Sequence, residues 1–113
     1  MLVLILIFCI QCCAFYSCKK KEDLNNLDCS KINSGYSANI KPIIDGTCLA
    51  SGCHQGGSAN GDFTSYAGVK AKVDNGSFDN RVIQQKNMPL SGSLSIDNLK
   101  KIKCWLNSGA PNN

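Results

Sequence analysis

Four cysteines, at positions 29, 48, 53 and 104, are spread through the only part of this 113-residue chain with enough apolar residues to build a core. Residues 29–113 form a unit of 85 residues. A domain of that size buries a modest share of its surface, so a cross-link or a bound group has to supplement its hydrophobic core. Two of the four cysteines sit in Cys48-Leu49-Ala50-Ser51-Gly52-Cys53-His54, together with the only histidine of the chain. In a secreted protein few thiols stay free, and four cysteines joined only by disulfides would leave three pairings open.

The other four cysteines lie earlier. Residues 1–10, MLVLILIFCI, are an unbroken apolar run, and every charged side chain lies beyond Cys18. The run falls short of the roughly 20 apolar residues that span a bilayer, and it reads as the apolar core of a secretory signal over residues 1–17. The signal would take Cys9, Cys12 and Cys13 with it. It ends in Phe15-Tyr16-Ser17-Cys18, a small residue just ahead of a cysteine, which resembles the lipobox of bacterial lipoproteins. Phe15 stands where that pattern usually has leucine, and no Lys or Arg precedes the apolar run; an ordinary cleaved signal or an uncleaved anchor is the competing reading. The resemblance implies that Cys18 becomes the first mature residue and carries lipid. The protein is then expected to be secreted across the inner membrane and anchored by lipid, on the periplasmic side or at the outer membrane. Residues 18–28, which include KKKEDLNNLD with only two leucines, read as a polar tether.

Helical signals dominate the rest. Ile40, Ile43, Ile44 and Cys48 recur at helical spacing. Pro42 must sit in the first turn, which makes Asn39 the better cap, and the helix is expected to stop near Gly46. Residues 55–62, QGGSANGD, are a succession of turn formers and read as loop. Tyr66, Val69 and Val73, closed by Asn75-Gly76, suggest a second helix, with Gly68 as its weak point. The strongest helix is the last: Ser95 caps it, and Ile96, Leu99, Ile102, Trp105 and Leu106 form one apolar stripe. Gly109 suits the left-handed C-terminal cap and Pro111 stops continuation. No alternating run of strand type occurs. The predicted fold is mostly α, with three or more helices and long loops, and such loops in a small domain usually wrap something.

Two cysteine sulfurs close in sequence and a histidine directly after the second are what covalent haem attachment requires, most often as C-x-x-C-H. Here the spacing is C-x4-C-H, and Ala50, Ser51 and Gly52 are small enough to let the two extra residues bulge. The chain resembles the small mono-haem, class I-like c-type cytochrome domains of secreted bacterial proteins, over about residues 36–111. The resemblance rests on a helix ahead of CLASGCH, the loop QGGSANG, the segment Asn87-Met88-Pro89, a C-terminal helix over residues 95–108 and the ending CWLNSGAP. It implies one covalent haem c on Cys48 and Cys53, wrapped by the helices and loops, with His54 as proximal iron ligand. His54 is the sole histidine, so the distal ligand cannot be a second one; Met88, the only methionine of the mature chain, is the expected distal ligand. Such His/Met ligation suits an electron carrier. If haem takes the middle cysteines, Cys29 and Cys104 are expected to pair as a disulfide.

Other readings stay open at this level. CLASGCH could be a disulfide loop in a haem-free lipoprotein that acts as a binding module. Met88 could fill a core gap or merely lie near an open iron, as in a peroxidase-like protein or a gas sensor. Trp105 and Tyr66 read as core or haem-packing aromatics. Asp62, Asp74, Asp79 and Asp97 have no paired-carboxylate spacing, so acid–base hydrolysis has no support and neither an enzymatic activity nor a small-molecule substrate is expected. From residue 29 onward nine Lys and Arg stand against five Asp, a net +4 that is far from a nucleic-acid footprint. Lys100, Lys101 and Lys103 are either a solvated helix face or a docking surface for an acidic redox partner of the cell envelope.

Overall fold

The computed structural model describes residues 22–113. The expected signal over residues 1–17, the lipid-bearing Cys18 and the first residues of the tether lie outside the described part. Among the described residues the chain is helical and has no strand. Four α-helices carry the fold: α1 Lys41–Thr47, α2 Tyr66–Asp74, α3 Ser77–Asp79 and α4 Ile96–Asn107. A 3-10 turn, Cys29–Lys31, precedes them, and two π turns extend them: Tyr36–Ile40 runs into α1, and Asn80–Gln84 continues α3.

The first helix differs from its sequence expectation. Helical structure starts at Tyr36 rather than after Asn39, and the Asn39 carboxamide oxygen accepts the Gly35 N–H at 3.1 Å instead of capping α1. Pro42 explains the wide turn. In an unbroken α-helix its ring would meet the carbonyl four residues back; here the turn before α1 is widened, with the Ile40 N–H on the Gly35 carbonyl at 3.2 Å, and Pro42 falls in the first turn of α1. The helix passes Gly46 and ends at Thr47. Cys48 is its C-cap, its N–H donating to the Ile44 carbonyl at 2.8 Å.

The last helix matches its sequence signals residue by residue. The Ser95 hydroxyl accepts the Asn98 N–H at 3.2 Å. At the other end the Gly109 N–H reaches Leu106 at 3.0 Å and the Ala110 N–H reaches Trp105 at 2.9 Å, the paired closure of a Schellman cap, with Gly109 at φ +88° where a side chain would be strained. Leu99, Ile102 and Trp105 are buried, while Ile96, first in the stripe, emerges into solvent. Trp105 is the centre of the core. It is fully buried, its indole N–H donates to the Pro111 carbonyl at 2.9 Å, and its ring meets Tyr36 and Phe78.

Ile40, Ile43 and Ile44 of the first helix pack with α4, Val69 of α2, and Phe78, Val82 and Ile83 of the third helical segment. That third segment has no counterpart in the sequence reading. The Cys29–Cys104 disulfide, with Cα atoms 5.4 Å apart, ties the 3-10 turn to α4. The packed core reaches back ahead of Cys29 into the stretch expected as a polar tether: Leu24 is buried in it, Leu27 packs against it, and Glu22 pairs with Lys100 at 2.5 Å.

Candidate functional site

The loop that follows α1 closes tightly on itself. The Cys53 N–H donates to Ala50 at 2.9 Å and the His54 N–H donates to the Cys48 carbonyl at 3.1 Å, while the backbone turns through Gly52 at φ +79°. The Ser58 hydroxyl then takes the Cys53 carbonyl at 2.6 Å. The two additional residues of C-x4-C-H are thereby absorbed in a hydrogen-bonded turn, and both cysteine side chains stand as separate thiols.

His54 is held on two sides. Its Nδ1 lies 3.1 Å from the Gly61 carbonyl, and its ring stacks on Phe63 with centroids 4.0 Å apart and planes 7° from parallel. A carbonyl can only accept, so this contact calls for a proton on Nδ1, and in the neutral tautomer that makes it the lone pair sits on Nε2. The backbone repeats the coupling: the Phe63 N–H donates to the His54 carbonyl at 2.9 Å.

Cys48, Cys53, His54 and Met88 all line one half-open cavity of about 330 Å³. Met88 comes to it from a separate segment, where the N–H groups of Asn87 and Met88 both reach the Arg81 carbonyl, at 3.0 and 3.3 Å. Phe63, Phe78, Val82 and Leu90 give the cavity apolar walls. Lys72 and Arg81 also line it, no Asp or Glu does, and neither cation belongs to an ion pair among the described residues. Sequence reasoning missed these walls and cations. The one available signal was that Arg81 is the chain's sole arginine.

Burial pushes the Cys48 thiol above its ordinary value of 9.0; the nearby Thr47 hydroxyl works the other way. The linkage has a definite sign. Below pH 9.0 both folded and unfolded chains keep this proton; above it the unfolded chain ionises first and binds fewer protons, so stability falls as pH rises. Thermal unfolding of the chain with both thiols free is therefore expected to move to lower temperature between about pH 8.5 and 10.5, and Cys48→Ala is expected to flatten that slope. An unchanged slope in the variant would mean that Cys48 does not cause it.

The three lysines near the C-terminus do not form one uniform basic face. Lys100 is paired with Glu22, and Lys103 lies 3.4 Å from Asp79. Tyr66 donates its hydroxyl to the Ala110 carbonyl at 2.8 Å and stacks edge-on against Tyr36. Among the described residues no three His, Cys, Asp or Glu side chains come together as a site for a metal ion, and no helix is long and apolar enough to cross a membrane. Comparison with protein-family models, with curated proteins and with solved structures returned no match.

Proposed function

We propose that residues 29–113 are a mono-haem c-type cytochrome domain that carries electrons in the cell envelope, held to a membrane through lipid on Cys18. The observation that carries this reading is the shared cavity: Cys48, Cys53, His54 and Met88, which the sequence singles out for haem, line the same space. The donor set suits the group. The Cys48 and Cys53 thiols could form thioethers to it, the His54 imidazole could offer its Nε2 lone pair, and the Met88 thioether could offer a second donor to iron. The rest of the lining suits it too, because a flat apolar ring system with two carboxylates would meet aromatic and aliphatic walls and two cations that have no carboxylate partner among the described residues.

Bound there, the haem would supply a one-electron iron couple. The chain's own residues do the rest. Cys48 and Cys53 would hold the group covalently, and the Gly61 carbonyl on Nδ1 would raise the basicity of His54 as a ligand. Met88 as partner to His54 would favour a high reduction potential, and Phe63, Phe78 and Val82 would shield that side of the group from water. Two protein ligands, His54 and Met88, would leave no place for a substrate, which fits a carrier rather than an enzyme; its partners would be redox proteins of the envelope. That Cys48 and Cys53 stand as separate thiols counts against the disulfide-loop reading.

The test is haem retention. The full chain, produced with an intact haem-attachment system, is denatured, extracted with acid acetone and reduced in alkaline pyridine. Haem that stays with the polypeptide and has the spectrum of two saturated vinyl groups is the expected result. A colourless polypeptide would overturn the proposal.

A further inference from the structure

The two groups that hold His54, the Gly61 carbonyl and the Phe63 ring, flank a single residue, Asp62. Asp62 rests directly on α2: a Cβ built on Gly68 would stand 1.6 Å from the Asp62 carbonyl oxygen and 2.8 Å from its carbonyl carbon. Backbone meets backbone there with no room for a methyl group. One turn further along α2, Lys72 lays its stem across Gly61, with Cε 2.7 Å from where a Gly61 Cβ would be. Gly61 itself is at φ +113°, a conformation that favours glycine. The α2 face at residues 68 and 72 is thus the seat of segment 61–63, and Ser65 fixes the start of that helix by accepting the Gly68 N–H at 3.2 Å.

We propose that Gly68 is a positioning residue for His54: by letting α2 and Asp62 touch, it holds the Gly61 carbonyl on Nδ1 and so keeps the Nε2 lone pair free for a ligand. An unrestrained neutral imidazole prefers its proton on Nε2, so the contact reverses the ring's own preference. The sequence marks Gly68 only as a residue that weakens a helix. Its place against Asp62 accounts for its presence. The redox arm of the test rests on the haem reading; the tautomer arm does not.

His54 is the chain's only histidine, so nitrogen-15 spectra of the labelled full chain give one imidazole signal set without assignment. In the chain as produced without haem, the parent is expected in the Nδ1–H form and Gly68→Ala is expected to shift toward Nε2–H. In the haem-loaded chain, Gly68→Ala is expected to raise the reduction potential, since the weakened Nδ1–H bond makes the imidazole a poorer donor to ferric iron, while the pyridine spectrum stays unchanged. Ser95→Ala, which removes the cap of α4, serves as the control: it should lower stability and leave potential and tautomer alone. If Gly68→Ala does not fold, Gly61→Ala displaces the acceptor itself and is expected to give the same two shifts. Folded variants with the parent's tautomer and potential would overturn the proposal. A chain that never retains haem would sink the cytochrome reading and leave the tautomer result to decide this one.

Discussion

The variant with Cys29 and Cys104 both replaced by serine is expected to unfold more easily than the parent by about 4 kcal/mol, the loop-entropy value for a closed loop of this length. The two residues are 75 apart in sequence, so the bridge closes nearly the whole folded unit. Cys104 is buried on α4, one residue before Trp105, and Cys29 opens the chain segment that leads to Tyr36. Without the bridge, the unfolded chain regains the freedom of nearly the whole domain. Against a usual total of about 5–15 kcal/mol, the loss is large enough to leave the chain partly unfolded at 37 °C. Denaturant titration of both chains, loaded alike, measures it. A fall in midpoint with a steeper slope is expected, because the unbridged denatured chain is less compact; a loss below about 1 kcal/mol would mean that packing of α4 alone closes the domain.

Met88→Ala is expected to have the largest effect on the haem-loaded protein. On the proposed reading, removing the thioether would take away the second iron ligand, so a low-spin spectrum should give way to a high-spin one and added imidazole should bind. The reduction potential should fall by a sizeable part of the roughly 0.8 V over which axial ligands set haem potentials. The fold has little reason to change, because Met88 is only partly buried and its segment is anchored through backbone bonds to the Arg81 carbonyl. Visible spectra and a potentiometric titration read both effects. A variant that kept the parent's spectrum and potential would show that Met88 is a wall of the cavity and not a ligand.

These two variants probe parts of the molecule that were legible in very different ways. Cap and stripe residues made α4 readable because each acts locally: Ser95, Gly109 and the 3.6-residue spacing of Leu99, Ile102 and Trp105 carry their meaning within a few positions. CLASGCH and Met88 stood out because the chain has one histidine and, beyond Met1, one methionine; that they line one cavity is what the fold adds. The Cys29–Cys104 pairing followed only once the middle pair was given another use. The third helical segment was hidden. Asn75-Gly76 looks like an ending, and the polar run Asp79-Asn80-Arg81 interrupts Phe78, Val82 and Ile83, whose burial comes from the core they complete. The π turn before α1 and the contact of Gly68 with Asp62 were out of reach, since each depends on two backbone segments meeting in space. So did the cations: Lys72 and Arg81 come from separate helical segments and converge only in the folded chain.

The aromatic packing around Trp105 has an optical consequence. Phe78 belongs to two neighbourhoods at once, lining the cavity and meeting the Trp105 ring edge-on at 6.3 Å. Phe63 joins the series at 6.0 Å from Phe78, and stacks on His54. Trp105 is the only indole in the chain, so its emission comes from a single, fully buried point one ring away from the cavity. Any chromophore seated there would drain that emission by energy transfer, and the protein carries within its own core a fluorescent gauge of whether the cavity is filled.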